Sequence, residues 1–204
     1  MKTGVILLAA GSSTRLGRPK QLIEFQGKTL IKKAIEEAQN SQADCLVVVL
    51  GANPDLIQTG FDHTKTPFVI NPNWQFGMSS SMQAGLRFLM EKEVINQVVL
   101  MLCDQPFVDA SLLDQLITAK YTSGKGIVAA SYSNTLGVPA LFDRRYFEEL
   151  LQLTGSEGAK KIIFKHQAEV HALDFPLGAV DLDTEEDVNQ FLTRYPQKNL
   201  PNPS

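Results

Sequence analysis

Several stretches of this chain hold residue types that packing alone does not require. Leu8-Ala9-Ala10-Gly11-Ser12-Ser13-Thr14-Arg15-Leu16-Gly17 follows an apolar run and precedes Lys20. Small residues let backbone N–H groups approach a ligand, and successive N–H groups form an anion-binding nest. Arg15 offers a two-pronged fork to phosphate and Lys20 a point charge. Phosphate binding is therefore open to this loop, and so is a purely structural turn. It is not a P-loop, because Gly17 is followed by Arg18-Pro19-Lys20 rather than by Lys and Ser or Thr. It is not a dinucleotide fingerprint either, since Gly11-Ser12-Ser13 breaks G-x-G-x-x-G and Gly51-Ala52-Asn53 offers no acidic residue after the second strand.

Asn71-Pro72-Asn73-Trp74-Gln75-Phe76-Gly77-Met78-Ser79-Ser80-Ser81 leads into an apolar helical pattern. Serines there can cap a helix or present hydroxyls to a polar edge. Gly85 lies one turn further on. Cys103-Asp104-Gln105-Pro106 places a carboxylate just past a buried strand, and Asp181-Leu182-Asp183 supplies two more on one face of an extended segment. Mg²⁺ is held by one or two carboxylates together with phosphate oxygens and waters. A turn or a helix cap accounts for either acid equally, and Asp183 with Glu186 reads as a capping box. His63, His166 and His171 fall in none of these stretches.

The elements that must position these residues are legible from periodicity. Continuous apolar runs at Thr3–Leu8, Cys45–Leu50, Phe68–Ile70, Val98–Leu102 and Gly126–Ala130 predict buried strands. Helical spacing at Leu30–Ala38, Met82–Leu89, Leu112–Ile117, Ala159–His166 and Val188–Leu192 alternates with them. Pro139–Phe142 predicts a strand that Pro139 confines to an edge or a start. Such alternation predicts an α/β fold: one Rossmann-like, mainly parallel sheet with helices on both faces. Ligands then bind at the carboxyl ends of the strands. The expected boundaries are one domain over 1–195 and a flexible tail over 196–204, rich in Pro and Asn.

The 204 residues carry 19 Lys and Arg against 22 Asp and Glu, a net charge of −3. That excludes a nucleic-acid coat or a polybasic membrane binder. No apolar run approaches the roughly 18 residues of a membrane span, and no signal-peptide pattern is present. Cys45 and Cys103 lie in or beside apolar runs and read as free, buried thiols, so a cytoplasmic setting is expected.

LAAGSSTRLGRPKQL resembles the L-x-A-G-x-G/S-S/T-R-M/L-G-x-x-K signature of nucleotidyltransferases with a glycosyltransferase-A type domain. NPNWQFGMSSSMQAGL, CDQP, LGVPALF, LTGSEGAK and DLDTEED resemble, in order, the segments of the molybdenum cofactor cytidylyltransferases, within the MobA-like NTP transferase superfamily. The resemblance spans roughly residues 3 to 193. It implies nucleotide binding by Leu8, Ala9, Ala10, Gly11, Ser12, Ser13, Ser80, Ser81 and Gly85, and catalysis by Arg15, Lys20 and Asp104. It implies Mg²⁺, or Mn²⁺, on Asp104 and Asp183, with Asp181 a weaker candidate. It implies acceptor binding by Gly137, Pro139, Gly158, Ala159 and Lys160. Ser156 departs from the usual Asp, which bears on the acceptor. The implied reaction moves CMP from CTP to the phosphate of a molybdopterin-type cofactor and releases pyrophosphate. Ala10 favours CTP, because guanylyl-transferring relatives read L-A-G-G there. The implied partners are the NTP, a phosphorylated pterin and a molybdenum hydroxylase apo-enzyme, with no nucleic acid and no membrane. Alternatives are a GTP- or UTP-using transferase acting on another phosphorylated acceptor, and a non-catalytic cofactor-binding accessory protein.

Overall fold

The strand rule that successive side chains face opposite ways organises the molecule. In a computed structural model, which describes residues 1–180 and 182–196, the elements run as follows. β1 (Thr3–Ala9), β2 (Glu24–Phe25), β3 (Lys28–Thr29), α1 (Leu30–Asn40), β4 (Cys45–Leu50), α2 (Pro54–Gln58) and β5 (Phe68–Ile70) form the first part. α3 (Met78–Lys92), β6 (Gln97–Leu102), α4 (Ala110–Ser123), β7 (Ile127–Tyr132) and β8 (Thr135–Asp143) follow. α5 (Phe147–Leu151), α6 (Lys160–Lys165), β9 (Val170–Asp174) and α7 (Glu185–Arg194) complete the described chain.

The main sheet has the order β5-β4-β1-β6-β8-β7-β9, with β2 and β3 as a separate hairpin. All of its pairings are parallel except those of β8, which runs against both β6 and β7. Val5, Leu7, Val48, Leu50, Val99 and Met101 face α1, α4 and α7. Ile6, Leu8, Val47, Val49, Val98 and Leu100 face α3, α5 and α6. The continuous apolar runs are thus the two inner faces of two cores, and the expected fold class is observed. No described helix is long and apolar enough to cross a membrane.

From β1 the chain steps outward to β4 and β5, then crosses over through α3 to β6 on the other side of β1. The strand order therefore reverses between β1 and β6, which opens a crevice at their carboxyl ends. That crevice receives Gly11 and its neighbours from β1 and Asp104 from β6.

Two expectations are corrected. Pro139 lies in an interior strand, not at an edge or a start. The β7–β8 register shifts so that Ala129 faces Ala140 and Ala130 faces Gly137, which makes Val138 and Pro139 the bulge itself, with no ladder partner in β7 to supply. The last helix is capped by Thr184 and Asp187, one residue later than the expected Asp183 and Glu186. Thr184 Oγ1 accepts from Asp187 N at 3.1 Å, and Asp187 Oδ2 accepts from Thr184 N at 2.8 Å. The shift frees the Asp183 side chain from capping.

Behind the crevice lies one aromatic cluster. Phe25, on the β2–β3 hairpin, packs on Phe191 of α7 at 4.7 Å between ring centroids and on Phe107 at 6.0 Å. Phe107 meets Tyr195 at 4.7 Å. Phe25→Ala should lower unfolding stability by about 3–5 kcal/mol in urea titrations. A loss below about 1 kcal/mol would show that the cluster is not a packed unit.

Candidate functional site

Leu8, Ala9, Ala10, Gly11, Ser12, Lys20, Ser81 and Asp104 line a cleft of about 340 Å³. Gln21, Trp74, Gln75, Gly77, Met78, Leu102 and Cys103 complete its walls. A smaller pocket of about 180 Å³, formed by Gly11, Ser13, Thr14, Arg15, Lys20 and Asp183, shares Gly11 and Lys20 with it. The two therefore adjoin at these residues, near the strand ends.

At the junction the Lys20 ammonium is shared by Asp104, which it pairs with closely, and by Asp183 Oδ1 at 3.1 Å. Arg15 pairs with the other oxygen of Asp183. Lys20 and Asp104 are largely withdrawn from solvent, with side chains 19% and 14% exposed, whereas Arg15 is 71% exposed. Burial alone would push the lysine pKa down. The attraction of Asp104, joined by hydrogen bonds to both carboxylates, outweighs that and holds Lys20 above the ordinary lysine range. Lys20 is therefore a permanent cation. Beside it, Cys103 is a neutral thiol, because burial raises its pKa and Asp104 raises it further.

The loop owes its course to specific bonds. Ser13 adopts a left-handed backbone, φ 52°, and its carbonyl accepts from Leu16 N and Gly17 N, each at 3.1 Å. Ser13 Oγ accepts from Lys20 N at 3.1 Å, which joins the loop to the turn carrying the lysine. Arg18 pairs with Glu185 at 2.7 Å, so the loop is tied both to the segment before α7 and to the first residue of that helix.

The three serines divide their work. Ser79 Oγ donates to Gly155 O at 2.7 Å and holds the 153–157 loop against α3. Ser80 Oγ lies 2.8 Å from Gly77 O and accepts from Asn71 Nδ2 at 2.9 Å, closing the turn. Ser81 lines the cleft and accepts from Asn71 Nδ2 at 3.0 Å. Of the expected nucleotide residues, Ser81 thus faces the cleft, whereas Ser80 serves the turn and Gly85 serves packing. A Cβ on Gly85 would come within 2.6 Å of Ile6 Cγ2 and 2.8 Å of Val49 Cγ2, so glycine is what lets α3 lie on the sheet.

The expected acceptor residues do not share one open surface. Gly137, Pro139 and Ala159 are buried, Ala159 as part of the core beneath α6. Gly158 is half-buried beside Met78, and Lys160 is exposed, its Cε near Gly137. Asp181 lies outside the described residues. Gln21, Gln75 and Met78 carried no site signal in the sequence, because an amide or thioether acquires a role only when its neighbours are known. Trp74 stands in the cleft wall.

The donor set suits a hard divalent cation. Two carboxylates converge, and Asp104 Oδ1 is buried with no hydrogen-bond partner among the described residues. No cluster of three or more His, Cys, Asp or Glu that could hold a metal is found among the described residues.

Residues 5–170 match the family described as the MobA-like NTP transferase domain. The chain belongs to that family. It is 35% identical over 133 residues to a nicotine blue oxidoreductase of Paenarthrobacter nicotinovorans, a stretch covering 65% of this chain and 62% of that protein. The crystal structure of an Rv0371c homologue from Mycobacterium sp. strain JC1 is 28% identical, with a TM-score of 0.81 over 96% of this chain and 98% of that one. The Rv0371c complex with manganese from Mycobacterium tuberculosis is 26% identical, with a TM-score of 0.76 over 95% and 99%.

Gly85→Ala separates packing from ligand contact. Overpacking costs about 1–3 kcal/mol, offset by about 1 kcal/mol of helix propensity. Urea denaturation should register a net loss of stability. A variant as stable as the parent but defective in ligand binding would instead return Gly85 to the nucleotide.

Proposed function

We propose that this chain transfers a cytidylyl group from CTP to the phosphate of a molybdopterin-type cofactor and releases pyrophosphate. The observation that carries the reading is the Lys20 ammonium shared by Asp104 and Asp183, beside an amide-rich loop at the reversal point of the sheet. Lys20 and Arg15 balance Asp104 and Asp183, so the quartet is neutral as it stands. A triphosphate then needs countercharge of its own. Asp104 and Asp183 would hold a divalent cation, which would neutralise charge on the triphosphate oxygens. Lys20 stabilises charge that develops on the α-phosphate and the leaving pyrophosphate. Arg15 is exposed enough to leave Asp183 for a phosphate oxygen. The loop amides and Ser81 orient the nucleotide, and the cleft around Ala10 accepts its base.

None of the cleft-lining residues is a histidine. A phosphate monoester, with its second pKa at about 6, is largely dianionic at neutral pH and attacks the α-phosphorus without a general base. Positioning and electrostatics then supply the catalysis. That the mycobacterial relative forms a complex with manganese supports the use of a divalent ion. The resemblance of the GMSSS and CDQP segments to the molybdenum cofactor cytidylyltransferases supports CTP, a pterin and delivery to a molybdenum hydroxylase apo-enzyme, and the free thiols Cys45 and Cys103 support a cytoplasmic setting. GTP or UTP use with another phosphorylated acceptor keeps the same chemistry.

A second reading follows from the 35%-identical relative, whose name denotes an oxidoreductase. It would place a redox substrate in the same cleft.

Thermal melts with CTP, GTP, ATP, UTP and nicotinamide dinucleotides, each with and without Mg²⁺ or Mn²⁺, decide between these readings. A ligand at about 100 times its Kd stabilises by roughly 2.7 kcal/mol, a shift of several degrees at this size. A metal-dependent shift with CTP alone is expected. A shift with nicotinamide dinucleotides and none with any triphosphate would favour the redox reading. Asp104→Ala should stay folded, lose the metal-dependent shift, and lose about 100-fold or more in transfer rate. Full activity in that variant would overturn the assignment of Asp104.

A further inference from the structure

Gln21 is polar, 2% exposed and next to Lys20, yet no step above uses it. Its Nε2 donates to Ala9 O at 2.9 Å and to Gly11 O at 3.0 Å. Ala10 O, between them, accepts from Ala52 N at 3.0 Å. Three successive carbonyls of the loop are therefore held by the scaffold, two of them by one side chain. In a planar trans peptide the C=O of one residue and the N–H of the next point in opposite directions. Fixing Ala10 O sets the Gly11 N–H, and fixing Gly11 O sets the Ser12 N–H. Both residues line the cleft, and neither N–H has a partner among the described residues.

The same amide is costly to the fold. With both donors committed to carbonyls, its orientation is set. Gln21 Oε1 is left buried without a partner among the described residues. An unmatched buried oxygen destabilises a protein and offsets much of what the two Nε2 bonds contribute, so the net gain to the fold is small. Gln21 is thus better explained as a brace than as a stability residue.

We propose that Gln21 is a positioning residue for the nucleotide: by holding Gly11 O its amide presets the Ser12 N–H that receives the triphosphate, beside the Gly11 N–H that Ala52 presets through Ala10 O. This rests on the nucleotide reading of the cleft. Relatives that lack such an amide would need another way to hold the two carbonyls. Gln21 itself touches no reacting atom.

Gln21→Met keeps the length and removes the donors. Calorimetric titration with CTP and Mg²⁺ should give a Kd raised on the order of 10-fold or more. Amide exchange, followed by mass spectrometry in the free protein, should speed up across residues 10–13. The melting temperature should stay within a few degrees of the parent. Gln21→Glu, which sets a carboxylate against two carbonyls and an incoming polyanion, should bind more weakly still. A lowered melting temperature with unchanged CTP affinity would overturn the proposal, because that is what a merely structural residue does. Should the parent bind no triphosphate, the nucleotide reading fails on its own account. The exchange experiment then decides the brace, and an unchanged rate over residues 10–13 overturns it.

Discussion

A lysine charge withdrawn from water needs negative partners nearby, and the crevice is arranged around that requirement. Lys20 obtains them from two distant stretches of the chain: Asp104 at the end of β6 and Asp183 ahead of α7. Removing either would leave charge poorly compensated in a half-buried setting. The three segments concerned are brought together from behind. Phe25 follows Lys20, Phe107 follows Asp104, Phe191 follows Asp183, and the three rings share one cluster. The aromatic contacts lie on the solvent-free side and the charges on the open side. Apolar burial thus sets the distances at which the ionic groups meet.

The members of the quartet are not equally committed. The Lys20–Asp104 pair is the most shielded, and its attraction is little screened by solvent. The Arg15–Asp183 pair is close, but with Arg15 mostly exposed it contributes little to stability. The geometry therefore ranks the groups by readiness to move. Arg15 can change partner at small cost, Asp183 at more, and Lys20 with Asp104 at most. A site that must accept a highly charged ligand benefits from one group that is easily released and one that is fixed.

The strands and the crevice residues were legible in the sequence for the same reason. Buried parallel strands leave unbroken apolar runs, and a polar residue placed just past such a run stands out, as Asp104 does. The glycine and serine loop was legible because its composition departs from that of any packed segment. Other features were hidden by their dependence on partners far along the chain. Pro139 reads as an edge signal until the bulge beside Ala130 is known. Gly85 sits in a motif, yet its environment is Ile6 and Val49, both from other strands. Asp183 and Thr184 are one residue apart, and local pattern cannot say which of two acid-rich frames caps the helix. β9 was missed because Val170-His171-Ala172-Leu173-Asp174 is only half-buried and lacks the apolar continuity of the inner strands.

The loop after β1 reads in sequence like a self-contained cassette of a dozen residues. Its bonds make it something else. One carbonyl is answered by Ala52, its two arginines by Asp183 and Glu185, and its lysine by Asp104. Transplanted onto another parallel sheet, the same letters would keep their flexibility and lose their direction. Anyone seeking to graft this chemistry would have to carry over the sheet reversal and the closing segment as well.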